Sequence, residues 1–105
     1  MTDNLLIELT EACYNKVESE FLEDKYLNSS LLKTMLNLLE CNNFLSLENF
    51  TQFLIHKYQS DLDLNEIFIF QHERWVVLPE QRQTLLSFFK SVIRDLQLKQ
   101  LGMPK

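Results

Sequence analysis

One glycine, at position 102, is all that this 105-residue chain possesses, where average usage of about 7% would supply roughly seven. Glycine takes positive φ without steric cost, so tight primed hairpin turns, phosphate-cradling loops and close backbone approach to a cofactor all lean on it. A chain deprived of it is pushed toward helices joined by short connections in which Asn, Asp and Ser side chains bond the local backbone.

Length and composition then limit how those helices can pack. Domains usually run about 100–150 residues, and two cores of half this size would each be too small to stand alone. Hydrophobic residues at 46% and charged residues at 24% lie well away from the composition of disordered chains, so a single helical domain is expected across residues 1–105. The formal charge is −5, with 10 Lys+Arg against 15 Asp+Glu, and the basic residues are scattered from Lys16 to Lys105. Nucleic-acid binding needs a basic face that displaces counterions from phosphates, and an anionic membrane surface needs a similar cluster. The linear order shows neither, so contact with DNA or RNA would require a patch assembled in three dimensions.

Cys13 and Cys41 fall inside apolar helical patterns and read as two buried, reduced thiols, small hydrophobes in effect. With no apolar signal segment ahead of residue 20, the expected address is the reducing cytoplasm. In that setting the sequons Asn28-Ser29-Ser30 and Asn49-Phe50-Thr51 are chance matches. The longest apolar runs are too short to cross a bilayer.

Four helices can be placed by spacing and caps. Residues 3 to about 24 form the first, with Asp3 as N-cap and Leu6, Leu9, Cys13, Val17 and Phe21 at helical spacing, while most of its glutamates fall on another, solvated face. Asn28-Ser29-Ser30 offers caps for a second helix from about 30 to 41, carrying Leu31, Leu32, Met35, Leu36 and Leu39, with Leu38 widening the stripe. A third, from about 47 to 59, starts at Ser46 as N-cap with Glu48 in the first turn and Leu45 placed to staple onto Phe50. The last has Pro79 at its first position, a stripe of Leu85, Phe89, Val92 and Leu96, and Gly102 just past its end.

The segment Glu66–Leu78 breaks this pattern, because its apolar residues point in every direction on a helical wheel. One reading is a β-hairpin, with strands Ile67–Phe70 and Trp75–Leu78 joined by the four-residue loop Gln71–Arg74; β-branched and aromatic residues are concentrated there. The other is a central helix buried nearly all round. A ribbon apolar on both faces can bury only one against the helices of so small a domain, and the other then points toward a partner.

Candidate reactive motifs fail on inspection. Asp61-Leu62-Asp63-Leu64-Asn65 resembles the opening of an EF-hand loop, but Glu66 stands where that loop needs glycine and His72 where it needs a bidentate glutamate. A turn that caps the following segment explains the same residues. His56 and His72 have no Cys or carboxylate at zinc-ligand spacing, and nothing pairs a Ser or Cys nucleophile with a base. The expectation is therefore no metal, no cofactor, no small-molecule substrate and no enzyme.

The order of elements, two helices, a short third near Asp61–Glu66, then a hairpin, also matches a winged helix. The stretch in the recognition-helix position, Ser60-Asp61-Leu62-Asp63-Leu64-Asn65-Glu66, carries carboxylates that would repel phosphates. The leading expectation is a protein-interaction module, a homo-oligomer or a small acidic subunit, adaptor or regulator of a larger assembly. Its contact surface would be Phe68, Phe70, Arg74 and Trp75, since Trp, other aromatics and Arg are the residues that interface hot spots favour. A winged-helix DNA- or RNA-binding domain is the alternative.

Overall fold

A computed structural model describes residues 2–21, 28–71 and 74–102. Five α-helices and one hairpin follow in the order α1 (Asp3–Phe21), α2 (Asn28–Cys41), α3 (Leu47–Lys57), α4 (Leu64–Ile67), β1 (Phe68–Gln71), β2 (Arg74–Val77) and α5 (Arg82–Gln100), a 3-10 turn at Pro79–Gln81 leading into the last helix. The chain is thus a mainly helical, compact domain with a β-hairpin ahead of the C-terminal helix.

The apolar spacing of α1 dictates its place. Leu6, Leu9, Cys13 and Val17 are all buried, and the helix packs against both α5 and α2. From α5 the stripe Leu85, Phe89, Val92 and Leu96 enters the same core, joined by Leu86. Thr10 and Thr51 are also buried, and each hydroxyl stays satisfied by donating to a carbonyl one turn back, Leu6 at 2.7 Å and Leu47 at 2.8 Å. The two long helices run antiparallel. Lys99 near the end of α5 pairs with Asp3 at the start of α1 at 3.2 Å, and the Gln100 amide donates to Asn4 Oδ1.

Helix ends show how the chain manages with one glycine. After α2, Asn43 adopts φ 66°, the Asn43 N–H donates to the Glu40 carbonyl at 3.1 Å and the Phe44 N–H to the Leu39 carbonyl at 2.9 Å, which is the Schellman arrangement. After α3, Gln59 takes φ 50°, with Gln59 N–H to His56 O at 3.3 Å and Ser60 N–H to Ile55 O at 3.0 Å. After α5, Gly102 itself sits at φ 71°. Asparagine tolerates this region because its short side chain bonds locally, whereas glutamine has no such compensation.

Several expectations shift. Thr2, not Asp3, caps α1, its Oγ1 accepting from the Leu5 N–H at 3.2 Å; the hydroxyl one residue earlier reaches the third helical amide, and Asp3 instead lies inside the first turn. Helix α2 begins at Asn28, two residues before the expected start. Ser46 caps α3 as expected, accepting from the Asn49 N–H at 3.1 Å, but the staple is made by Phe44. Its ring packs edge-on against Phe50 at 5.0 Å and Phe53 at 5.3 Å, leaving Leu45 91% exposed. An aromatic ring covers two partners where leucine would cover one. Leu36 is exposed on α2 while Met35 and Leu39 face the core, because adjacent residues stand 100° apart on a helix and this helix buries one narrow stripe.

The hairpin is present in the expected register, with each strand running one residue further toward the turn. Pairs Phe68↔Val77, Ile69↔Val76, Phe70↔Trp75 and Gln71↔Arg74 take Gln71 and Arg74, expected in the loop, into the strands; the other two expected loop residues, His72 and Glu73, lie outside the described residues. Ile67 closes α4 instead of opening β1, yet its carbonyl accepts from the Leu78 N–H at 2.8 Å and extends the ladder. Asp63 caps α4, its carboxylate accepting from the Asn65 N–H at 2.9 Å, which gives the Asp/Asn run the capping role expected of it.

Replacing Gln59 with glycine should remove the cost of a left-handed residue and stabilise the fold by about 1 kcal/mol, net of the extra unfolded-state entropy. Asn43→Gly should gain only a few tenths. Urea denaturation of the two variants against the parent checks the ordering.

Candidate interaction surfaces

The hairpin divides into a buried base and an exposed tip. Phe68 and Val77 face each other across the strands, both in the core, with Phe68 3% exposed. Phe68 therefore belongs to the folding core and is not open to a partner. Two residues further along the same strand face, Phe70 is 60% exposed; alternation along β1 gives the two phenylalanines one direction. Position 75 is the register partner of Phe70, and position 74 of Gln71; the side chains of Arg74 and Trp75 lie outside those described. Ile69, on the other face, is half-buried.

A second surface, which the sequence reading missed, surrounds α3. Its buried side is Phe50, Thr51 and Leu54; the outward side is a polar ridge of Gln52 and His56 with a mainly apolar groove on one flank and a mainly polar one on the other. One groove, of about 580 Å³, is lined by the packed rings of Phe44 and Phe53 together with Asn49 and Lys57. The other, of about 400 Å³, is mainly polar, Glu48, Asp63 and Asn65 lining it together with Ile55, Leu62 and Leu64. Both grooves share Gln52 and His56. Leu45 stands beside the first, and its pose is fixed: the Leu45 N–H donates to Asn49 Oδ1 at 3.3 Å while Asn49 donates its own N–H to Ser46 Oγ. The available signal was the pair Phe44-Leu45 ahead of the Ser46 cap, of which a staple can use one and must expose the other.

The two cysteines differ sharply. Cys13 is buried and Cys41 exposed, both as free thiols, so the expectation of two buried thiols fails at Cys41. That residue ends α2 on the side away from Leu39 and the core. Burial pushes the Cys13 thiol well above its ordinary range. Tyr58 at the end of α3 is raised by partial burial and then by the carboxylates of Asp3 and Asp95. Tyr14 is raised by its hydrogen bond to Glu18 on the next turn.

Among the described residues no three His, Cys, Asp or Glu side chains converge as a metal site, and no helix is long and apolar enough to cross a membrane. His56 is exposed on the α3 ridge; His72 lies outside the described residues. Compared with known proteins, the chain matches no family model, no curated protein and no solved structure.

Two measurements follow from this geometry. Phe68→Ala should cost about 3–5 kcal/mol of stability as a core truncation, whereas Phe70→Ala should cost under about 1 kcal/mol, both read from denaturant midpoints. For the raised groups, the folded state holds its protons more tightly than the unfolded chain, so their contribution is complete below the unfolded values, 9.0 for cysteine and 10.0 for tyrosine, and is lost as pH rises beyond them. Stability should accordingly fall between pH 8 and 11, and Cys13→Ala should flatten the lower part of that fall.

Proposed function

We propose that the chain is a non-enzymatic protein-interaction module, a small acidic subunit, adaptor or regulator of a larger assembly. The observation that carries this reading is Phe70, a large apolar side chain 60% exposed on a hairpin whose base is anchored in the core by Phe68 and Val77. An aromatic held out on a rigid support loses little conformational entropy on binding, which is what makes such residues effective anchors. A partner seated there would meet the hairpin tip, including positions 74 and 75, and a chain of net charge −5 would associate faster with a basic partner.

The winged-helix alternative has the right element order, α2, α3, α4, β1, β2, but α4 has four residues, about 6 Å of helix. Reading a major groove takes a helix that presents several side chains along it, and this turn carries exposed Asp63 and Glu66 at its start.

Phe70→Ala separates these readings. The interaction reading expects the variant to keep its far-UV circular dichroism and lose the protein that co-purifies with the parent chain. Retention of that partner by Phe70→Ala would sink it. A gel shift at low salt with duplex and single-stranded probes should show no retarded band, and a salt-sensitive complex there would favour the nucleic-acid alternative.

A further inference from the structure

We infer that the outer face of α3 pairs with the same face of a second copy of this chain, each Leu45 entering the Phe53–Lys57 end of the other copy's groove. Covering a large apolar side chain that is 91% exposed is favourable, and Leu45 is not loose: its N–H is held by Asn49 and the preceding turn is closed by the Asn43 cap. The loop thus presents a rigid apolar knob. Beside it lies an apolar groove of about 580 Å³, larger than the knob and lined at its floor by Phe44 and Phe53.

Knob and groove on one patch are what two-fold symmetry requires, since an isologous interface must be complementary to itself. With the two-fold axis lying in the interface and across α3, the two α3 helices run antiparallel. Leu45, before the start of α3, then reaches the His56–Lys57 end of the partner's groove. The same arrangement brings Glu48, in the first turn, to the level of the partner's His56 and Lys57 in the last turn, and sets the two helix dipoles head to tail. A standard interface buries about 800 Å² per partner, roughly a ninth of the 7208 Å² surface. The hairpin lies outside this patch and remains available to another protein.

Sedimentation equilibrium on the full chain, from micromolar to millimolar, reads the outcome. The expected result is reversible conversion of a 12.6 kDa species to one of twice that mass, with Leu45→Glu weakening the self-association by roughly tenfold or more at unchanged helicity. In a Cys41→Ser background, mixing chains carrying Leu45→Cys with chains carrying His56→Cys should give a mixed disulfide on mild oxidation. A monomer at every concentration overturns the inference. So does a dimer that Leu45→Glu leaves intact, or one that forms without the mixed disulfide.

Discussion

The apolar stripe of α1 is the contact on which the rest of the molecule depends. Leu6, Leu9, Cys13 and Val17 are buried on one helix that packs against α2 and α5 together, so removing it would expose both neighbours at once. Burying a leucine or valine side chain is worth about 1.5–3 kcal/mol, and four such positions in a row outweigh anything the polar groups contribute. The Asp3–Lys99 pair at the end of the same interface is mostly exposed and adds well under about 1 kcal/mol. It fixes the register of two helices that hydrophobic burial has already brought together.

Scarcity of glycine is the second constraint, and the molecule answers it at helix ends. Two Schellman turns are built on Asn43 and Gln59, and Asp63 and Ser46 supply the N-caps that start the helices following them. The connections around α3 are therefore short and hydrogen-bonded, and their side chains have defined directions. This rigidity links local chemistry to surface: Phe44 turns inward to meet Phe50 and Phe53, Leu45 turns outward, and an apolar patch results that a looser loop would have folded away.

Much of this was legible in the residues. The stripes of α1 and α5, the Ser46 cap, the Gly102 terminus and the hairpin at 67–78 each depend on local spacing or on a residue with one strong conformational use. What escaped depends on competition between neighbours. Phe44 and Leu45 are both apolar, and only packing against two other rings decides between them. Leu36 and Met35 compete for one stripe, and the core admits methionine. Cys41 belongs to a helical apolar pattern yet falls where α2 leaves the core. The register held and only the strand bounds moved by one residue, Ile67 being drawn into α4 behind the Asp63 cap, a local bond that strand propensity does not register. Of the candidate contact residues, Phe68 is buried and Phe70 exposed although both share one strand parity, so alternation alone could not tell them apart.

Native-state hydrogen exchange tests the central place of α1 most directly. If its stripe closes the core, the slowest-exchanging amides lie on α1 between residues 9 and 17 and on α5 between residues 85 and 96, opening only with global unfolding, while amides near Phe70 exchange through smaller, local openings. Amides of the hairpin outlasting those of α1 would contradict the account, because the core would then close around the ribbon and not around the first helix.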